Sequence, residues 1–300
     1  MKTKKCVVCQ GREFTILFTH HGNLKMGKCQ TCGLVQVVPM LTASQIAGLY
    51  HEDFDHFAPY IEQLSVHHAY FKQKIEDIKE KMEDRKWKVD KTGSLSSIVH
   101  HPFSLLDIGC LTGVLLEEAK KVGWRSEGID LSRDAVNYCR KHNLTAFYGT
   151  VYTVKQLRKQ SYDVITAFQI VEHERDPLKM MIRIHSLLKD NGMAILATPN
   201  YGGFWRKVMG KRWFGFAHPE HVVLLDFNSI RMLLEKAGFH DIEIHRDSPR
   251  PFPLSFAFTR GADYFPWAAW ILKPLGKLFD HFDIKNPINP WDDMIAFARK

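Results

Sequence analysis

Four cysteines open the chain in two pairs, Cys6-Val7-Val8-Cys9 and Cys29-Gln30-Thr31-Cys32, with nineteen residues between them. Each C-x2-C can form a tight knuckle that turns both sulfurs toward one point. Two knuckles supply four thiolates at tetrahedral angles, the closed set that structural zinc prefers. A redox dithiol needs only one such pair and a neighbouring βαβ pattern, and chance spacing of buried cysteines is the remaining alternative. With Cys6, Cys9, Cys29 and Cys32 all used, no position stays open for water, so the metal is expected to be structural. Cys110 and Cys139 read as small, half-buried side chains.

A second chemical signal is Asp107-Ile108-Gly109-Cys110-Leu111-Thr112-Gly113, a strand end running into a glycine turn, with Gly128-Ile129-Asp130 at the next strand end. Glycines there let the backbone approach a ligand, and the helix that follows offers free N–H groups. Asp130 is placed to accept both hydroxyl hydrogens of a ribose. The nicotinamide fingerprint G-x-G-x-x-G is absent, because position 111 is Leu. Asp107 instead precedes the first glycine, where a carboxylate repels a pyrophosphate but can hold a cationic amino-acid moiety through water.

The elements that must position these groups follow from periodicity. Ile61, Leu64, His68, Phe71, Ile75, Ile78 and Met82 form one helical face, expected to pack on the main domain or to cover a site. Residues 86–101 lose that period and read as a surface connection. From residue 102 strands and helices alternate: strands at 103–109, 124–130, 144–149, 162–168 and 193–198, and helices at 112–122, 132–142 (capped by Ser132), 177–188 and 228–237. Extended segments at 242–245 and 254–259 are expected to close the sheet. Such alternation implies an α/β fold with a doubly wound, mostly parallel sheet, preceded by a small zinc ribbon. The expected organisation is a ribbon at 1–40, a helical segment and linker at 41–101, the α/β domain at 102–262 and an amphipathic extension at 263–300.

Composition agrees with a folded enzyme-sized chain: 300 residues, 45% hydrophobic, 25% charged, net charge +8. That apolar content excludes a disordered chain, and the charge favours an anionic partner. No run of apolar residues reaches the length of a bilayer crossing, and the basic start lacks a secretion signal, so a cytoplasmic location is expected.

The stretch Leu105 to Gly113 resembles the first motif of class I S-adenosylmethionine-dependent methyltransferases. The resemblance continues through Glu127-Gly128-Ile129-Asp130, Tyr162-Asp163-Val164-Ile165, Val171-Glu172-His173-Glu174-Arg175-Asp176-Pro177, Ala197-Thr198-Pro199-Asn200 and Pro219-Glu220-His221, and ends in Leu233 to Phe239. A four-Cys amino-terminal module occurs in some relatives, notably sugar methyltransferases. The resemblance implies a Rossmann-like methyltransferase fold with S-adenosyl-L-methionine as donor. It places Asp107, Gly109 and Gly113 around the methionine part, Asp130 at the ribose and Gly149-Thr150-Val151 beside the adenine, with Cys110, Leu131 and Phe168 as further donor-binding residues. Leu111 departs from the pattern, standing where the middle glycine usually lies.

A sulfonium methyl is already electrophilic, so the protein must align the acceptor, exclude water and remove a proton. His173 follows the fourth strand; His218, Glu220 and His221 follow the fifth. All four are candidate proton-transfer residues, although each histidine could instead cap a helix or satisfy a buried carbonyl. Glu220-His221 resembles a pair in zinc-bearing sugar C-methyltransferases, which carry a tyrosine where this chain has His218.

Gly203 to Phe214 mixes four cations with four aromatics and could close over an anionic, ring-bearing acceptor such as a nucleotide sugar, or could be an exposed basic helix with anchoring aromatics. The expected activity is methyl transfer to a small molecule, a sugar or glycan precursor. An RNA methyltransferase is the competing reading, as is a non-catalytic zinc-ribbon module that binds RNA or protein. Residues 264–282 mix Trp, Phe and Lys and could touch a membrane surface, meeting a lipid-linked or quinone acceptor, although Pro266 and Pro274 limit the segment to broken turns and favour burial against the body.

Overall fold

The computed structural model describes residues 4–20, 24–49, 57–89, 102–250, 253–279 and 292–300. Three short strands, β1 (Phe14–His20), β2 (Leu24–Cys29) and β3 (Val35–Val37), form the ribbon and pair antiparallel. Helix α1 (Ala43–Ala47) follows, started by a reciprocal capping box between Thr42 and Gln45. Helices α2 (Phe57–Glu62) and α3 (Leu64–Val89) come next. The helix thus runs past residue 86, where a surface connection was expected to begin; residues 90–101 of that connection lie outside the described residues. Tyr70, Phe71, Ile75, Ile78 and Met82 are buried on its inner face, which makes α3 a packing element of the sheet domain. His68, on the same helix, reaches Glu118 (2.7 Å) and Glu117 (3.3 Å).

The main sheet then begins: β4 (Ser104–Ile108), α4 (Val114–Lys121), β5 (Arg125–Asp130), α5 (Arg133–Lys141), β6 (Thr145–Tyr148), β7 (Tyr162–Phe168), α6 (Pro177–Leu187) and β8 (Leu188–Pro199). Local chemistry sets the boundaries. Ser132 caps α5 by accepting from the Ala135 N–H, and Asp176 caps α6 with Pro177 in its first turn. The chain continues through α7 (Phe204–Met209), β9 (Val223–Leu224), α8 (Phe227–Lys236), β10 (His240–Arg246), α9 (Leu254–Tyr264), α10 (Ala269–Phe279) and β11 (Asp293–Arg299). Asp226 caps α8, and Gly238, at φ +95°, lies just past its end.

Seven strands lie in the order β10-β11-β8-β7-β4-β5-β6. β4, β5, β6, β7 and β8 pair in parallel, while β11 runs antiparallel between β8 and β10. Helices α3, α4 and α5 pack on one face; α6 and α8 cover the other. The doubly wound, mostly parallel architecture and the small amino-terminal ribbon are as expected.

Two expectations about its edge are corrected. Residues 254–259 form the first part of α9 rather than a strand, and the strand that completes the sheet is β11, drawn from the segment expected to be an appended extension. Its residues from Asp293 to Ala298 are all buried, because it inserts between two strands rather than lying at the rim. The ribbon sheet is likewise completed from far along the chain: β9 pairs with β3, Val35 opposite Leu224 and Gln36 opposite Val223. Among the described residues no helix is long and apolar enough to cross a membrane.

Candidate active site

Strand order reverses at β4, which lies between β5 and β7, so a crevice forms beyond the carboxyl ends of these strands. The turn from β4 into α4 is left-handed at three alternate residues, Gly109 (φ +77°), Leu111 (+45°) and Gly113 (+75°). A Cβ on Gly109 would be strained by its left-handed backbone and would have to displace the end of the Ile170 side chain, whose Cδ1 lies 2.2 Å from where it would sit. Leu111 supplies the same backbone sign with a half-exposed side chain, and its N–H donates to Asp130 Oδ2 at 2.9 Å. The other Asp130 oxygen accepts from the Ser132 N–H at 2.7 Å. The Leu131 N–H also bonds this carboxylate, which keeps acceptor capacity for a further hydroxyl.

Asp107 lies at the same edge, buried, with Oδ1 accepting from Thr166 Oγ1 at 2.7 Å. Burial pushes its carboxyl up to about 7, and the nearby Asp130 adds to this. Asp130 is also raised, again by burial. Neither makes an ion pair with Lys, Arg or His among the described residues. Two buried, uncompensated carboxyls are an arrangement that a cationic ligand would neutralise.

The other predicted donor residues border this edge in different ways. Leu131 is exposed at the tip of β5, Thr150 turns toward Thr153, and Phe168 packs edge-on against Phe71 of α3. The Cys110 sulfur turns inward, where a Cβ on Gly128 would meet it at 2.5 Å, so only its main chain can face a ligand.

Beyond the carboxyl ends of β7 and β8 the structure brings together all four predicted proton-transfer residues. His221 is buried, and its Nδ1–H donates to the Gly215 carbonyl at 3.0 Å, which leaves Nε2 as the acceptor nitrogen. Burial, then the neighbouring His173 and His218, hold its pKa well below the usual histidine value. Its ring centroid lies 4.8 Å from that of His173 and 5.0 Å from that of His218. His218 Nδ1 is 3.2 Å from buried Glu220.

Glu172 completes the group and was not singled out from sequence. It is fully buried, Oε2 accepts from Thr198 Oγ1 at 2.9 Å, and Oε1 has no hydrogen-bond partner among the described residues. Burial pushes its pKa up to about 8. One ligand atom each from Glu172, His173 and His221 lies within 4.8 Å of the others, close enough to share one proton or one cation.

Helix α3 and the segment after β10 roof the crevice. Tyr60 stacks on His67 at 3.5 Å, Tyr70 donates to Asp247, and Asp247 also pairs with Lys74 at 2.6 Å. Arg250 lies 5.3 Å from the Tyr70 ring centroid. The basic-aromatic segment at 203–214 is divided: some side chains anchor it, while Phe204, Lys207, Val208, Lys211 and Arg212 are exposed. Trp213 is fully buried, Arg206 donates to Tyr201, and Lys211 lies over Phe18 of the ribbon.

At the amino terminus the four predicted cysteine sulfurs all lie within 4.8 Å of one another, with Cys6–Cys32 and Cys9–Cys29 separations of 3.5 Å. A tetrahedral zinc–thiolate centre needs sulfurs about 3.8 Å apart. Hydrogen bonding from Cys32 pulls Cys6 down to about 5 against its burial, while Cys32 is pushed up by the same contact. Such a cluster ionises fully only around a cation. The thiols therefore fit a structural zinc ion.

A family model described as a methyltransferase domain matches residues 60–244. The chain belongs to this methyltransferase-domain family. A ubiquinone biosynthesis O-methyltransferase of Xanthomonas campestris pv. campestris is 32% identical over 102 residues, covering 32% of this chain and 43% of that protein. One of the same name from Vibrio cholerae serotype O1 is 29% identical over 102 residues, or 32% and 42% of the two chains. The match thus spans less than half the length of these curated relatives. Among solved structures, a SAM-dependent methyltransferase of Thermotoga maritima, described as a possible histamine N-methyltransferase, aligns with a TM-score of 0.54. It is 12% identical and covers 85% of this chain and 99% of that one. This likeness is one of fold.

Proposed function

We propose that this methyltransferase-domain protein transfers a methyl group from S-adenosyl-L-methionine to a hydroxyl-bearing small molecule. The observation that carries the reading is the pair of buried, uncompensated carboxyls, Asp107 and Asp130, at the strand-order switch, with a histidine–glutamate cluster beyond the carboxyl ends of β7 and β8. The donor, when bound, supplies an electrophilic methyl on a cationic sulfur. Asp107 holds positive charge beside the glycine turn, and Asp130 accepts a hydroxyl hydrogen with the acceptor capacity that the Leu111, Leu131 and Ser132 N–H groups leave free. Gly109 and Gly113 keep the turn thin. Tyr60, His67 and Tyr70 of the α3 side exclude water.

On the acceptor side, the neutral His221 Nε2 takes the acceptor's hydroxyl proton, with Nδ1–H fixed on the Gly215 carbonyl so that the ring cannot turn. His173 lies beside it. Glu172, once ionised, stabilises the imidazolium that results. His218 and Glu220 are positioning residues for the loop that carries His221.

The names of the curated relatives and the hydroxyl-directed base both support oxygen as the methylated atom. A nucleotide sugar is one hydroxyl-bearing molecule that this reading admits, and a carboxylated phenol is another; the Arg250 charge, opposed by Asp293 and Asp247, does not choose between them. Zinc in the four-thiolate site has a structural role. Turnover assays with labelled donor across nucleotide sugars and hydroxylated aromatic acids test the acceptor. Methylation of an amine in preference to every hydroxyl compound would overturn the oxygen assignment.

A further inference from the structure

The chain leaves β10 at Arg246 and returns as β11 at Asp293, and between them it builds the helical hairpin α9–α10. Helix α10 has two apolar faces. One packs inward: Gly276 sits so close to α9 that a Cβ there would meet Thr259 Oγ1 at 3.1 Å, and Phe279 stacks on Phe258 at 5.2 Å. The other faces outward. Trp267, just ahead of α10, and Trp270, Ile271 and Leu278 on it are 72%, 75%, 44% and 58% exposed. At helical spacing these four share one stripe about 100° wide, with exposed Lys273 and Lys277 along its flank.

A helix that packs on its neighbour needs one apolar face. A second, carrying two tryptophans, marks a surface that something else covers. Tryptophan is the side chain that favours the boundary between lipid headgroups and acyl chains, and flanking lysines complement anionic headgroups.

We propose that the α9–α10 hairpin docks this protein on an anionic lipid bilayer, with Trp267 and Trp270 in the interface and Lys273 and Lys277 against the headgroups. β10 runs parallel to β8, so the hairpin springs from the same sheet edge as the crevice: Asp293, at the start of β11, lies opposite Pro199 at the end of β8. Docking therefore turns the mouth of the crevice toward the membrane. If the methyl-transfer reading holds, the acceptor is an amphiphile whose polar head reaches the site while its tail stays in the bilayer. Docking itself does not depend on that reading.

The test is co-sedimentation of the full chain with vesicles of phosphatidylcholine, alone or mixed with phosphatidylglycerol. Wild type is expected to pellet with the mixed vesicles and to release with salt. Trp267→Ser with Trp270→Ser is expected to weaken this roughly tenfold or more, and Lys273→Glu with Lys277→Glu to abolish the preference for anionic lipid. All four positions are exposed, so the unfolding temperature should hold. Should the tryptophan pair fail to fold, quenching of wild-type fluorescence by brominated lipids reads the same contact, and its absence overturns the proposal. Wild type that stays in solution with every vesicle, or variants that bind like wild type, overturns it as well. A dimer that dissociates on Trp270→Ser, without vesicle binding, assigns the stripe to a second copy instead. Donor calorimetry in the absence of lipid reads the methyltransferase assignment separately.

Discussion

Gln36 in the third ribbon strand pairs with Val223, two residues beyond His221, and the Val37 N–H donates to the Val222 carbonyl at 3.0 Å. The ribbon therefore holds the backbone on which the proposed base is mounted. A second tie fixes the other side, where the Val222 N–H donates to the carbonyl of Glu172 at 3.0 Å. The four-thiolate knuckles and the proton-transfer cluster form one mechanical unit.

Loosening the ribbon should consequently impair turnover more than donor binding. Cys9→Ser, or treatment with a strong zinc chelator, is expected to lower kcat by roughly 10- to 100-fold with donor affinity within about threefold of wild type. Parallel steady-state kinetics and calorimetry check this. Equal losses in both would show that the ribbon supports the whole domain rather than the His221 segment.

Asp107 gives a pH prediction with a defined sign. Its folded-state pKa is raised to about 7 by burial, above the ordinary carboxylate value, so the ligand-free protein loses stability as pH rises from about 4 to about 7. Asp107→Asn is expected to flatten that part of the unfolding-temperature profile. Affinity for a cationic donor should change in the opposite sense, strengthening up to tenfold per pH unit below 7 as the carboxyl must ionise to bind. A donor affinity that does not vary with pH between 5 and 7 would contradict this role.

The His221–Glu172 cluster predicts a rising rate profile. Turnover should increase as pH passes about 8, where Glu172 ionises, and Glu172→Gln should remove that inflection. His221→Ala is expected to lower kcat roughly 100-fold without weakening donor binding. Full activity in His221→Ala removes it from the mechanism. Sensitivity to chelators in a variant whose ribbon is intact, reversed by a divalent cation, would reassign Glu172, His173 and His221 to holding a metal ion.

Leu111 pays for its left-handed backbone. Leu111→Gly relieves that strain but adds freedom to the unfolded chain, so a net stabilisation of at most about 1 kcal/mol is expected, with donor affinity retained. Thermal unfolding with and without donor reads both. A large gain in affinity would show that the leucine side chain crowds the crevice.

The parts of the site legible in the sequence were those coded by neighbours along the chain. Two C-x2-C knuckles, the glycine turn with Asp107, the Ser132 cap and Asp130 at a strand tip each depend on a few adjacent residues. What escaped depended on partners far away. Residues 293–299 carry little alternation because both faces are buried, so nothing in them marked a central strand. Leu254 to Thr259 is a short apolar run that suits a strand or a helix equally; packing against Gly276 decides for the helix. Glu172 lay inside a recognised motif, yet only the closing of the 220–222 segment over it shows a buried carboxyl with an unpartnered oxygen. The pairing of β3 with β9 spans most of the chain and had no local signal.

The central claim is that a cationic donor sits beside the glycine turn with its diol on Asp130. Calorimetric titration of the protein with S-adenosyl-L-methionine, wild type against Asp130→Ala, tests it most directly. Saturable one-to-one binding that weakens by roughly tenfold or more in the variant is the predicted result. Absence of binding to wild type, or equal affinity in the two proteins, would contradict it.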